Sequence, residues 1–268
     1  MRLRIEHTTR FTYDQEVSEA FTEMRLRPMD AGGQRCVTFS LATDPRDKAT
    51  FQYLDRFGND VRYLDLLQQH RTLSAHAVSE VLTPTRLAEV ERELSPLDAW
   101  DYTAATGYAP RTDALYYFAH PQIDLADVRG SALRLMKAVH GVLKYERGMT
   151  DVTTVADKAL EMGAGVCQDF AHLFIAGIRA HGIPARYVSG YLHDPTLPAE
   201  YAATHAWVDV FTPDEGWISV DPTHCREQTA DYVRLGVGRD YGDVPPTRGV
   251  FKGGARETLT VEVRISEV

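Results

Sequence analysis

The first eighty residues alternate between apolar and polar positions, which is the pattern of half-buried β-strands. Turn-rich segments such as Asp55–Asp60 separate the alternating runs and predict hairpins. Because the runs recur at regular spacing, the sequence predicts a small antiparallel sandwich or barrel. The predicted strands are Arg2–Tyr13, Ala20–Arg27, Cys36–Ala42, Phe51–Leu54, Val61–Leu66 and Leu73–Leu82.

A helical period replaces this alternation from about residue 95, where Ser95 and Pro96 form a helix-start signal. Apolar residues at spacings of three and four predict an amphipathic helix over Leu125–Tyr145. A capping-box variant predicts a short helix over Thr154–Glu161. Val166–Ala180 is apolar around most of its circumference, which predicts a helix buried in the centre of a domain.

Extended segments follow that buried helix, at Ala185–Leu192, Thr204–Phe211 and Trp217–Val220. Residues 222–254 are rich in glycine, proline and charge and predict irregular surface structure, whereas Thr258–Ile265 alternates again. The sequence therefore predicts an α+β chain of two domains. A β-rich N-terminal domain spans residues 1–90, to which a C-terminal strand at 256–266 can return, and a second domain spans residues 91–255.

Composition excludes several functional classes. The chain has 268 residues, 44% of them hydrophobic, with 29 Lys+Arg against 38 Asp+Glu and a net charge of −9. This acidic balance argues against a nucleic-acid partner. No apolar run approaches the ~18 residues that a membrane span needs, and the N-terminus does not resemble a secretory signal. Three cysteines cannot all pair within one chain, so the sequence predicts a reducing compartment, the cytoplasm. It predicts nothing about oligomeric state.

Cys167 is the most informative residue. Gly163 and Gly165 precede it and allow a sharp turn, and the predicted buried helix begins directly afterwards. In the first turn of a helix, unpaired N–H groups and the helix dipole favour an anion, so this position suits a nucleophilic thiolate. A cysteine in an apolar stretch is more often a buried structural residue, and on this feature alone that alternative stays open.

A histidine and an aspartate provide the groups that such a thiol needs. His205 begins the predicted strand Thr204–Phe211, and the partner strand Trp217–Val220 leads into Asp221. A turn centred near Asp214 places Asp221 close to His205. An aspartate there can fix the imidazole tautomer and stabilise its cation. Nucleophile, base and orienting carboxylate are the three roles of a Cys-His-Asp triad.

Four sequence blocks resemble those of the transglutaminase-like superfamily, the papain-related group of cysteine enzymes, in order and spacing. The blocks are Gly165–Ala171, Gly182–Tyr191, Thr204–Asp209 and Gly216–Thr223. They cover roughly residues 125–225, and the β-rich first eighty residues resemble the N-terminal domain that accompanies this core in bacterial members. The resemblance implies a papain-like α+β core whose nucleophile helix packs against an antiparallel sheet.

The resemblance also implies Cys167 as nucleophile, His205 as general base and acid, and Asp221 as the orienting residue. The implied reaction is acyl transfer from a peptide, protein or small amide through a thioester. Water then gives a protease or amidase, and an amine gives a protein-glutamine γ-glutamyltransferase; hydrolysis is favoured for a bacterial-type member. The backbone N–H of Cys167 is one candidate oxyanion donor. Further candidates for oxyanion stabilisation or substrate binding are Tyr145, Gln168 and Trp207.

Other interpretations stay open at this point. A catalytically silent papain-like scaffold that binds proteins is the main alternative function. Cysteine and histidine residues lack the short chelating pairs of zinc sites, and no D-x-D-x-D-G calcium loop occurs, so we expect no metal and no cofactor. The loop of residues 193–203 precedes His205 and is either a lid over the cleft or an ordinary surface excursion.

Overall fold

The computed structural model describes residues 1–46, 50–86, 93–196 and 204–268, which form mixed helices and strands. The helices are α1 (Pro96–Asp101), α2 (Asp113–Ala119), α3 (Val128–Val142), α4 (Ala156–Met162) and α5 (Cys167–Arg179). The strands are β1 (Arg2–Val17), β2 (Glu19–Met24), β3 (Arg35–Asp44), β4 (Thr50–Leu54), β5 (Asp60–Leu66), β6 (His70–Leu82), β7 (Lys144–Tyr145), β8 (Ala164–Gly165), β9 (Ala185–Leu192), β10 (Thr204–Thr212), β11 (Gly216–Asp221), β12 (Arg226–Glu227), β13 (Tyr232–Gly238), β14 (Thr247–Lys252) and β15 (Glu257–Glu267).

Two antiparallel four-stranded sheets form the N-terminal part of the fold. The first sheet has the order β15-β1-β6-β3, and the second has the order β14-β2-β5-β4. Apolar residues of both sheets, such as Phe11 and Leu73 of the first and Met24 and Leu64 of the second, share one buried cluster. The predicted strand-rich N-terminal region is therefore confirmed, and its two sheets pack as a sandwich.

Both C-terminal strands pair with this sandwich. β15 runs antiparallel to β1 from Leu3↔Glu267 to Tyr13↔Glu257, and β14 pairs with β2. β14 lies within the range that the sequence assigned to the second domain. The predicted boundary at residue 90 lies outside the described residues.

The prediction of irregular surface over residues 222–254 was wrong for two segments. Besides β14, residues 232–238 form the strand β13, which is buried along its whole length. Glycine and arginine are typical of exposed loops, but the guanidinium of Arg234 is buried here because Asp209 on β10 compensates its charge. Gly236 lies against Asn59, where a Cβ would come within 2.9 Å of the amide oxygen. Close packing and a buried ion pair thus explain why the buried strand β13 has the composition of a loop.

A five-stranded antiparallel sheet, in the order β12-β11-β10-β9-β13, carries the central helix. α5 is buried from Gln168 to Arg179 and shares one apolar cluster with α2, α3, β9, β10 and β11. This arrangement confirms the predicted α+β core, in which a buried helix packs on an antiparallel sheet. Within the described ranges, no helix has the length and apolar character needed to cross a membrane.

Helix starts agree only in part with the sequence signals. Ser95 caps α1 as predicted, since its hydroxyl accepts the N–H of Asp98 at 3.1 Å. The prediction of a Thr154 cap was wrong, because α4 begins after Val155 and the Thr154 hydroxyl accepts the N–H of Asp151 at 3.0 Å instead. A polar side chain near a helix start can satisfy a preceding turn just as well as the helix.

Candidate active site

Cys167 is the first residue of α5 and is partly exposed. The turn that leads into the helix is held by Asp169, whose carboxylate accepts the N–H of Val166 at 2.8 Å and the hydroxyl of Thr150 at 2.7 Å. Gly165 is required here because a Cβ would lie 2.6 Å from the Asp169 carboxylate. The sequence thus folds the chain tightly back on the helix start and leaves the thiol at its open end.

His205 lies at the start of β10, opposite Gly190 of β9. Its Nε2 atom lies 2.8 Å from Oδ2 of Asp221, which is completely buried at the end of β11. Cys167 lies near enough to His205 to contribute to its raised pKa, and because Asp221 occupies Nε2, Nδ1 is the ring nitrogen left for the thiol. The structure therefore brings together the three residues that the sequence singled out.

Electrostatics favour a charged pair of His205 and Asp221. Burial alone lowers the pKa of His205, but the Asp221 carboxylate and the hydrogen bonds to Asp221 and Cys167 outweigh it and raise the pKa to about 10. Burial alone would raise the pKa of Asp221, yet His205 and His224 hold it far below its usual range. The imidazolium is therefore the stable form near neutral pH, as a thiolate partner requires.

Asp221 accepts more hydrogen bonds than the sequence indicated. Besides His205, Oδ2 accepts from Nδ1 of His224 at 2.8 Å and from the Tyr232 hydroxyl at 2.7 Å. Oδ1 accepts the N–H groups of Thr223 and His224 at 2.8 and 3.2 Å. His205, Asp221 and His224 each offer one atom that could bind a metal ion, and these three atoms lie within 4.8 Å of one another. The hydrogen bonds described above account for their proximity. The network fixes the carboxylate in one orientation.

Replacing Tyr232 by Phe is expected to slow alkylation of Cys167 by iodoacetamide about fivefold. The change removes one donor to Asp221, and about 1 kcal/mol of hydrogen-bond free energy corresponds to that factor in rate. The rate at neutral pH is measured by mass spectrometry of the Cys167 peptide.

Tyr191→Phe is the matched control. Tyr191 is equally buried, and its hydroxyl lies 2.8 Å from His7 Nδ1 rather than near Asp221. This variant should lose comparable stability and keep the wild-type alkylation rate. Equal rates in both variants would show that Tyr232 does not position Asp221.

A cleft with a volume of about 400 Å³ opens at the thiol. Its lining includes residues from the helical part and the five-stranded sheet, among them Cys167, Tyr187 and His205. The first N-terminal sheet, with its C-terminal strand, contributes His7, Thr9, Leu259 and Val261 to the same cleft. A volume of this size suits a small molecule or a few residues of a peptide.

The three further residues singled out by the sequence occupy different places. Tyr145 lines the cleft, and β7 holds it beside Gly165 through the Tyr145↔Gly165 pair. Gln168 also lines the cleft, and its amide donates to the carbonyl of Val152 at 3.2 Å. Trp207 is fully buried, with its ring stacked 6.0 Å from that of His205. Trp207 is not among the residues that line the cleft, so it does not contact a substrate there.

Comparison with known families agrees with this geometry. The transglutaminase-like superfamily core matches residues 121–222, and the bacterial transglutaminase-like N-terminal region matches residues 3–82. An uncharacterized protein of Mycobacterium leprae is 32% identical over 100% of this chain and 99% of its own length. The chain belongs to the transglutaminase-like superfamily.

The chain is also similar to a second protein by sequence and to a solved structure by fold. A protein-glutamine gamma-glutamyltransferase of Pseudomonas aeruginosa is 37% identical over an 81-residue alignment that covers 28% of this chain and 12% of that protein. The crystal structure of a candidate cysteine protease from Cytophaga hutchinsonii has a TM-score of 0.78 at 22% identity and covers 100% of this chain and 91% of that one. The second similarity confirms the fold, a papain-like core together with a strand-rich N-terminal region.

Proposed function

We propose that this protein is a cysteine-dependent acyl-transfer enzyme that acts on amides, with hydrolysis favoured over amine transfer. The observation that carries the proposal is the arrangement of three residues. A thiol at a helix start and a histidine line the same cleft, and the histidine is hydrogen-bonded to a fully buried carboxylate. Membership of a superfamily of cysteine enzymes supports the same chemistry.

In the proposed mechanism the Cys167 thiolate attacks the carbonyl carbon of a substrate amide and forms a tetrahedral oxyanion. The backbone N–H of Cys167, at the helix start, donates a hydrogen bond to this oxyanion. The His205 imidazolium gives its proton to the leaving nitrogen as the C–N bond breaks, and a thioester remains. Water then attacks the thioester, with His205 accepting its proton, and releases the acid and the thiolate. An attacking amine would give a new amide instead.

Asp221 supports both halves of this cycle. Its hydrogen bond to Nε2 keeps the imidazole oriented with Nδ1 towards the thiol, and its charge stabilises the imidazolium. The substrate is proposed to be a peptide, a protein or a small amide. The proposed compartment is the cytoplasm, because the three cysteines are free thiols.

The proposal is tested by labelling the folded protein with iodoacetamide and by incubating it with an amide library. Cys167 is expected to be alkylated at least ~10-fold faster than Cys36, because Cys167 opens into the cleft beside the charged His205, while burial raises the pKa of the Cys36 thiol. Mass spectrometry of the library, with and without a primary amine, distinguishes a lost amide, a cleaved chain and an amine adduct. Equal labelling of the cysteines and an unchanged library would instead indicate a silent scaffold.

A further inference from the structure

The inner face of the first N-terminal sheet divides into three zones along β1. At one end, Leu3 and Ile5 pack against Tyr191, Val233 and Leu235 of the five-stranded sheet. At the other end, Phe11 and its neighbours pack inside the sandwich. The zone between them consists of His7 and Thr9 on β1 and of Val261 and Leu259 on β15, with Val261 opposite Thr9 and Leu259 opposite Phe11. All four residues of this middle zone line the cleft, and His7 also contacts Tyr191 of the five-stranded sheet.

Two apolar side chains of the middle zone are exposed to solvent. Leu259 is 48% exposed and Val261 is 39% exposed, although Val263, the next residue on the same face, is only 9% exposed. Strand alternation points all three the same way, so the change in exposure marks where the two halves of the fold separate to form the cleft. A substrate side chain that covers Leu259 and Val261 removes apolar surface from water.

The polar groups of the same zone already have partners. The two ring nitrogens of His7 lie 2.8 Å from the Tyr191 hydroxyl and 2.8 Å from the Thr9 hydroxyl. Burial, with a smaller contribution from His76, lowers the pKa of His7 to about 4, so its ring is neutral at pH 7. These residues therefore present no charge to a substrate. A carboxylate or ammonium group placed against them would lose hydration without gaining a partner there.

We infer that Leu259 and Val261 form a subsite for an apolar side chain of the acyl donor, next to the amide that Cys167 attacks. The substrate class is a peptide-like amide with an aliphatic or aromatic side chain at that position. The inference rests on the proposed function, because the subsite is defined by its place in the same cleft as the thiol. It assigns to the N-terminal sandwich and the returning strand β15 a direct part in substrate selection.

The test uses two peptidyl chloromethyl ketones that differ only in the residue beside the ketone, leucine or glutamate. Each alkylates the thiolate as an S–C bond forms and chloride leaves, so no natural substrate is needed. The leucine probe is expected to label Cys167 at least ~10-fold faster than the glutamate probe. Leu259→Asp should reduce that preference about tenfold, while Thr260→Asp, an exposed change on the other face of β15, should keep it.

Iodoacetamide, which carries no side chain, separates the two possible failures. If iodoacetamide labels Cys167 selectively but the probes react equally, or Leu259→Asp leaves their ratio unchanged, the subsite is refuted and the acyl-transfer proposal stands. If none of the three reagents labels Cys167 selectively, the proposed function itself is contradicted. Val261→Asp repeats the measurement at the neighbouring position, so that the result does not depend on the folding of one variant.

Discussion

Replacing Cys167 by Ala is expected to abolish turnover of every amide that the wild-type protein converts, with a loss in kcat of at least ~10⁴-fold. The variant retains the cleft, His205 and Asp221, but among the described residues that line the cleft no other cysteine can form the thioester. Initial rates of product formation, measured by mass spectrometry at saturating substrate, give the comparison. Because Cys167 is partly exposed, its truncation should leave the melting temperature close to that of the wild type.

Cys36→Ala provides the matched control. Cys36 is a second partly exposed cysteine, on β3, and it does not line the cleft. Its variant should keep the wild-type rate, which excludes a general effect of removing a thiol. If Cys167→Ala kept more than about a tenth of the wild-type rate, Cys167 would not be the nucleophile.

The pairing of His205 with Asp221 was predictable from the sequence because it depends on one local hairpin. The predicted turn near Asp214 is confirmed, since Thr212 pairs with Gly216 across it. In this register Asp221 lies diagonal to His205, within reach of a long side chain. The helix start at Cys167 was equally local, because glycines, an acidic cap and an apolar run are all adjacent in sequence.

The part of the cleft that the N-terminal sheet contributes was not predictable from the sequence. His7, Leu259 and Cys167 are far apart along the chain, and no local pattern brings them together. Their positions follow from the pairing of β15 with β1 and from the packing of Leu3 and Ile5 on the five-stranded sheet. Hydrophobic alternation identifies which face of a strand is buried, but not which other element covers it.

The sequence does not indicate the buried strand β13, because charge and glycine are typical of exposed loops. Arg234 is only 1% exposed, and its guanidinium donates to Asp209 on β10, to Ser219 on β11 and to Gln228. A buried arginine is rare unless it is paired, and its partner is separated from it by 25 residues. Only the assembled sheet shows that these two charges compensate each other.

Replacing Asp209 by Ala is expected to lower the free energy of unfolding by about 3–5 kcal/mol, because it leaves buried guanidinium groups without their carboxylate. Asp209 is completely buried and accepts from Arg186 at 2.8 Å and from Arg234 at 2.9 Å. Urea denaturation at pH 7 measures the loss. Asp214→Ala, which removes the same charge from the exposed turn of the same hairpin, should change stability by less than about 0.5 kcal/mol.

The effect of Asp209→Ala should also depend on pH with a definite sign. Burial alone would raise the pKa of Asp209, but Arg234 and Arg186 outweigh it and lower the pKa from 3.8 to about 2. The stabilisation by the ionised carboxylate is therefore complete at pH values above the ordinary aspartate pKa of 3.8, and it is lost as the pH falls through about 2. The stability difference between wild type and variant should shrink over this interval. A constant difference, or equal losses in the Asp209 and Asp214 variants, would mean that the buried charges do not stabilise this sheet.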